Sequence, residues 1–297
     1  MRRFSPIPPL FIPAIFIALA LPISFSAQDV SSSSDEPLCI STLRTTHGLI
    51  MATPSSDRTA PLLAVGEQLR ACVDELGAFS PALGELGFMG AVTSDDGKLR
   101  IWTWNAPQDD RTCLYAGLVA HQDLEPAGLL DLAVASSSRA PEPQATYGAE
   151  NWPGALYYDI LPVQEKSGAY LLLGWDAGDG AVTRKLVEPL TIGDQGRARF
   201  GAPLFDGFQQ RFMLEFNDQV QVTLRHEPRK KRQPERIVFD HLAPRADHLE
   251  GVTAFYGPDL SFDAWVREGK SWTFKRDVTV TQNIPDGRRF IDPRQAP

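Results

Sequence analysis

Residues 254–265, AFYGPDLSFDAW, set Asp259 and Asp263 four positions apart among the aromatic side chains of Phe255, Tyr256, Phe262 and Trp265. Carboxylates so framed could do two kinds of chemistry. A pair held about 5–10 Å apart hydrolyses a glycosidic bond, one as acid and the other as nucleophile or base. A single carboxylate beside a large ring instead hydrogen-bonds a sugar that stacks on the ring. Asp176 in GWDAGDG and Asp240 in VFDHL also sit at strand ends, so the pair candidates are Asp176, Asp240, Asp259 and Asp263. Within the opening stretch, Gly257-Pro258-Asp259 reads as a turn whose aspartate bonds the following backbone. Phe262, Ala264 and Val266 then form the inward face of a strand, which leaves Asp263 beside Trp265 on the other face.

Other aromatics could carry a binding surface. Trp102 and Trp104 alternate onto one strand face in KLRIWTWN, and Trp152, Tyr157 and Tyr158 follow in ENWPGALYYD. The candidate ligand-binding set is therefore Trp102, Trp104, Trp152, Asp263 and Trp265. Large rings also dominate cores, and both faces of a central strand can be covered. Core packing is the favoured reading, with the platform as its alternative.

Metal chemistry has little to build on. Asp240, His241, Asp247 and His248 cluster in FDHLAPRADH, but no two of the five histidines take a zinc-type spacing. Asp176 and Asp179 lack the alternate-position pattern of a calcium loop and suit a glycine-rich turn. The chain contains no GxSxG, HExxH or phosphate-binding loop, so no metal and no cofactor is implied. RHEPRKKRQPER holds six basic residues in twelve positions, Arg225, Arg229, Lys230, Lys231, Arg232 and Arg236. A polyanion could dock there, but a solvated hairpin tip is the reading favoured by the acidic surroundings.

The ends of the chain give the compartment. Arg2 and Arg3 precede the apolar run LFIPAIFIALAL at residues 10–21, with Ser24 and Ser26 behind it. A basic head, an apolar run of about 7–15 residues and small residues after it describe a secretory signal peptide. A spanning helix needs about 20 apolar residues, and this run is shorter and interrupted by Pro13. The expectation is a signal peptide over 1–26 and an exported chain, periplasmic or secreted, without a transmembrane segment after cleavage. Cleavage leaves 27 basic and 37 acidic residues, a net charge of −10 that repels nucleic acid. Of Cys39, Cys72 and Cys113, an oxidising compartment would join two, and Cys39 with Cys72 is the favoured disulfide.

The elements that must hold these residues follow from periodicity. Residues 27–60 read as a flexible N-terminal arm. In residues 61–80, Leu62, Val65, Leu69, Cys72 and Leu76 share one helical face, with Pro61 in the first turn and Gly77 as the cap. From residue 81 to 297 short alternating runs separated by turns predict a mainly β domain of antiparallel hairpins, propeller-like or sandwich-like. Two hairpins can be registered. A three-residue loop, Asn217-Asp218-Gln219, would pair Phe216 with Val220, and Glu268-Gly269-Lys270 would pair Val266 with Trp272.

The ordered set SDDGKLRIWTWN, GALYYDILP, LLLGWD, IVFDHLAP and YGPDLSFDAW resembles an uncharacterised family of exported proteins from Bacteroidota-like bacteria, over residues 83–280. The resemblance implies an extracytoplasmic bacterial protein and brings no activity or catalytic residue with it. The expected function is binding or scaffolding at the cell envelope, with an envelope glycan or envelope protein as partner. The alternative is a hydrolase of an envelope polymer using the carboxylate pair.

Overall fold

The computed structural model describes residues 36–122, 128–163, 168–193, 197–205, 209–231 and 233–280. The signal peptide expected over 1–26, and the start of the arm behind it, lie outside the described residues. The chain divides after Glu36, and the fold is that of the unit beginning at Pro37.

That unit opens with two helices, α1 (Leu38–Ala52) and α2 (Thr59–Leu76). Helix α2 forms where the spacing predicts, burying Leu62, Val65, Leu69, Cys72 and Val73. It ends at Gly77, whose φ of 85° suits a residue without Cβ and whose N–H closes on the Val73 carbonyl. Helix α1 corrects the expectation of a loose arm. Its sequence is rich in Ser and Thr, which are indifferent helix formers because their hydroxyls compete for the backbone. Here Thr42, Thr45 and Thr46 donate to carbonyls one turn back, each at 2.9 Å. What the helix gains is burial of Cys39, Ile40, Leu43 and Ile50. Among the described residues no helix is long and apolar enough to cross a membrane.

Among the described residues the remainder is mainly β, in three antiparallel sheets. The first runs in chain order through β1 (Gly90–Thr93), β2 (Leu99–Pro107), β3 (Cys113–His121) and β4 (Leu129–Ser136). The second holds β5 (Tyr147–Gly148), β6 (Leu156–Pro162), β7 (Ala169–Asp176), β8 (Val182–Ile192), β9 (Ala198–Phe200) and β10 (Phe212–Asn217). Its long strand β8 pairs β10 along the first half and β9 along the second. The third comprises β11 (Leu224–Glu227), β12 (Arg236–Pro244), β13 (Tyr256–Glu268) and β14 (Ser271–Lys275).

Three cores stack these layers. Both helices cover one face of the first sheet, around Leu43, Leu62, Leu69, Trp102, Trp104 and Leu118. The other face of that sheet meets the second through Ile101, Tyr115, Tyr157, Leu172, Trp175 and Leu186. The far face of the second sheet packs on the third through Leu173, Val187, Phe216, Ile237, Phe239 and Trp265. The arrangement is thus sandwich-like, extended to a third sheet. Covering on both sides explains why β7 reads AYLLLGWD and is buried at every position.

Both predicted hairpin registers are corrected. Strand β10 pairs with β8 and not with the residues after it, which run irregularly to β11 in the third sheet. Leu214, Phe216, Val222 and Leu224 still share one core, which a crossing between sheets satisfies as well as a hairpin would. In the second case a two-residue Gly269-Lys270 turn sets Glu268 opposite Ser271 and Trp265 opposite Phe274. Gly269 takes φ 67°, and the register brings the Trp265 and Phe274 rings to 5.4 Å edge to face.

Candidate functional site

The tryptophans named as a platform are buried. Trp102 is 0 % exposed and Trp104 3 %, and their indoles lie under the helices, donating to the carbonyls of Leu83 and Leu62 at 2.8 Å. Trp265 belongs to the core between the second and third sheets. Asp263 shares its face, since Phe239 lies opposite Asp263 and Ile237 opposite Trp265. The expectation that these two point outward is corrected. Asp263, Ala264 and Trp265 are all buried, so alternation along this strand does not separate core from solvent. Tyr157 is equally enclosed, and Tyr158 donates to the Leu224 carbonyl at 2.8 Å.

The four carboxylate candidates are spent in different ways. Asp176 is buried in the second sheet, 2.9 Å from Arg184 Nη1, and accepts from the Tyr115 hydroxyl at 3.1 Å. Burial raises its carboxyl, with Arg184 opposing. Asp179, its neighbour in the glycine-rich turn, accepts from the backbone N–H of Ala181 and Val182. Asp240 accepts the Thr223 N–H. Asp259 caps its turn as the sequence suggests, taking the Ser261 hydroxyl at 2.7 Å and its N–H at 3.0 Å. Those bonds hold its carboxyl below the ordinary range.

Asp263 has a partner that spacing did not reveal. His241 Nδ1 lies 2.8 Å from Asp263 Oδ2, while Oδ1 accepts the Asp277 N–H at 3.2 Å. A bulge sets this up. Between the pairs Asp240–Phe262 and Leu242–Pro258, the single residue His241 faces Asp259, Leu260 and Ser261. The imidazole side chain is 34 % exposed and its carboxylate 5 %. An imidazole anchored through Nδ1 can exchange a proton or take a cation through Nε2. Among the described residues no three metal-ligating side chains come together. Asp247 and His248 stand in a separate, exposed turn at Asp247–Leu249.

A cleft of about 450 Å³ opens where β4 ends and the chain loops to β5. Ala135, Arg139, Glu142, Tyr147, Asn151 and Trp152 line it. Arg139 Nη2 stands 3.5 Å from Glu142 Oε1, both largely exposed. The Tyr147 hydroxyl accepts the Glu142 N–H at 2.9 Å, and the side-chain Oδ1 of Asn151 accepts the Gly148 N–H at 2.6 Å. Trp152 is 2 % exposed and is fixed from behind by donating to the Tyr157 hydroxyl at 3.0 Å. Behind Tyr147 the Arg211 guanidinium lies 4.8 Å from the ring centre and also donates to the Glu142 carbonyl. Arg211 is held by Glu188 on β8. Complete burial lifts the Glu188 carboxyl to about 7 against the pull of Arg211.

Of the residues lining this cleft, only Trp152 stands out in the sequence. Arg139 and Glu142 fall in a Pro- and Ser-rich stretch that reads as loop, and no periodicity points to Tyr147. Glu188 and Arg211 carry a weak signal: each is a charge beside apolar strand residues, in KLVEPLTI and RFMLEF.

Glu227 takes up part of the basic loop, with Arg236 Nη2 at 2.7 Å and Arg225 Nη2 at 3.0 Å. Arg229, Lys230 and Lys231 are exposed, and Arg232 lies outside the described residues. All three cysteines are buried and none is in a disulfide, so the expected Cys39–Cys72 bond is not formed here. Cys39 and Cys72 both lie in the core beneath the helices. Compared with known proteins, the chain gives no match to a family model, to a curated protein or to a solved structure.

Proposed function

We propose that this is an exported, non-catalytic binding protein of the bacterial cell envelope, holding a sugar unit of an envelope glycan in the cleft at Arg139, Tyr147 and Trp152. The observation that carries the reading is the cleft itself. Its volume of about 450 Å³ falls within the range of roughly 300–1,000 Å³ usual for small-molecule sites. A half-buried tyrosine ring with a few polar groups beside it suits a sugar, whose CH faces are apolar and whose hydroxyls need partners. Tyr147 supplies a ring braced from behind, and Arg139, Glu142 and Asn151 supply donors and acceptors at the edge. Export is supported by the basic head and apolar run at the N-terminus.

Less supports the alternative, hydrolysis by a carboxylate pair drawn from Asp176, Asp240, Asp259 and Asp263. A general acid needs a raised pKa and access to substrate. The carboxyls raised by burial, Asp176 and Glu188, are 2 % and 0 % exposed.

Binding of peptidoglycan and lipopolysaccharide oligosaccharides to an array tests the reading. Wild type should bind at least one class, with Tyr147→Ala and Arg139→Ala each weakened about tenfold and Lys231→Ala unchanged. Failure of wild type to bind, or equal binding by the Tyr147 and Arg139 variants, would sink it.

A further inference from the structure

We propose that one end of the third sheet is a membrane-docking surface, on which Arg229, Lys230 and Lys231 bind the phosphate headgroups of an anionic phospholipid bilayer. Two hairpins meet at this end. Strand β11 stops at Glu227 and β12 starts at Arg236, while β13 turns into β14 through Gly269 and Lys270. Arg236 lies opposite Val266, and the Arg267 N–H donates to the Glu235 carbonyl at 2.9 Å, so the two tips stand side by side. Residues 225–236 and 267–275 hold nine cations and three acids, a net of +6 in a chain of net −8. Those three acids are already paired. Glu227 takes Arg225 and Arg236, Glu235 takes Arg267 and His226, and Glu268 takes Lys275. Among the described residues no acid pairs with Arg229, Lys230, Lys231 or Lys270, and all four are exposed.

The larger tip also stands clear of the acidic body. Lys230 and Gln233 exchange backbone bonds at 2.9 and 3.1 Å, which extends the hairpin beyond its sheet pairing. Gln233 Nε2 donates to Glu227 Oε2 at 2.8 Å and ties that extension to the strand. From the last sheet pair, Glu227 with Arg236, the chain reaches Lys230 in three residues, a span of up to about 10 Å. The Debye length at physiological salt is about 8 Å, so the negative charge of the remaining surface is largely screened there. Convex tips with separate flexible cations suit a flat field of phosphates, whereas a single small anion needs a concave pocket around it. Each cation brought to an anionic bilayer strengthens binding about fivefold. The choice of lipid over nucleic acid, the other phosphate array, rests on the export proposed above.

The test is sedimentation of the full chain with vesicles of phosphatidylcholine, with and without phosphatidylglycerol. The apolar run at residues 10–21 adds alike to every variant, so differences between variants carry the result. Wild type should prefer the phosphatidylglycerol vesicles at least tenfold in about 0.05 M salt and lose that preference in about 0.5 M. Arg229→Ala/Lys230→Ala/Lys231→Ala should bind them at least tenfold more weakly, and roughly 100-fold where all three cations contribute fully. Lys98→Ala/Arg197→Ala/Arg199→Ala removes the same charge from exposed positions at the first and second sheets. That variant should stay within about threefold of wild type, since its cations lie away from the docking end. Equal weakening of the two triple variants would reduce the effect to net charge and overturn the surface. So would wild type without a preference for phosphatidylglycerol. Salt-sensitive capture by duplex DNA or polyphosphate without vesicle binding would overturn the lipid assignment. Vesicle binding by a chain recovered only from the cytoplasm overturns the export reading and leaves the surface standing.

Discussion

Arg211 meets Glu188 through two bonds, Nε to Oε2 at 2.8 Å and Nη2 to Oε1 at 3.2 Å, and solvent reaches neither side chain. The same guanidinium donates to the Glu142 carbonyl and lies under Tyr147. Gln210, next in the chain, donates its N–H to the Pro143 carbonyl at 2.9 Å. The loop that forms one wall of the cleft is thus fastened to the middle of the second sheet by residues 210 and 211. A buried charge stripped of its partner is far more costly than the intact pair is favourable. Arg211→Met should therefore lose about 3–5 kcal/mol in urea unfolding, by that reasoning, while the double variant Glu188→Leu/Arg211→Met loses much less. Equal losses in the single and double variants would remove the pair from its assigned role.

The same pair sets a pH dependence. Glu188 titrates near 7 in the folded chain, against 4.5 when solvated. Between those values the folded state binds more protons than the unfolded one, so stability falls as pH rises through that window. Glu227 and Glu235 are shifted the other way and act only as pH drops below about 4.5; Asp176, also raised by burial, adds to the decline, and His47, lowered by burial, opposes it below about pH 6.5. Unfolding free energy measured from pH 5 to pH 8 should decline by an amount on the order of 3 kcal/mol, at about 1.4 kcal/mol per unit. Glu188→Gln should make the decline smaller. The same slope in wild type and variant would refute the assignment.

Two buried tryptophans should respond differently to the same change. Trp102 Nε1 is matched by the Leu83 carbonyl, whereas Trp265 Nε1 has no hydrogen-bond partner among the described residues. Replacing Trp102 by Phe removes that bond and leaves a buried carbonyl short of a donor, which costs about 1–3 kcal/mol beyond the lost ring area. Replacing Trp265 by Phe deletes an unmatched donor, which offsets part of the lost area. Trp265→Phe should be the milder variant by at least about 1 kcal/mol in chemical denaturation. The reverse order would mean that the Trp265 indole finds an acceptor in solution.

Legibility in the sequence followed the physics of each element. Helix α2 and the runs of β7 could be read because one stripe or both faces are apolar, and periodicity reports such patterns directly. Helix α1 could not, because its Ser and Thr residues disguise a stripe whose value appears only when α2 and Trp104 are there to cover it. Strand β10 misled for a related reason. Alternation shows that Leu214 and Phe216 face a core, but not which sheet supplies the hydrogen bonds. The cleft was least legible of all. Glu188 and Arg211 are 23 residues apart and Arg211 and Glu142 are 69 apart, so only the folded chain brings them together.

The opening stretch of aspartates ends on strain that can be measured. Leu260, between Asp259 and Ser261 in the bulge facing His241, takes φ 77° and is 91 % exposed. For a side chain with Cβ the left-handed region costs about 1–2 kcal/mol, and this leucine recovers little of that by burial. Asn tolerates that conformation without glycine's added entropy in the unfolded chain. Leu260→Asn should therefore raise unfolding stability by up to about 1 kcal/mol, less than the full strain because Asn keeps part of it. The change leaves the Ser261 bonds to Asp259 and the His241–Asp263 contact in place, since none of them involves the leucine side chain. Chemical denaturation of the two proteins decides the matter: a loss of stability in the Asn variant would show that the exposed leucine is held by contacts this chain needs.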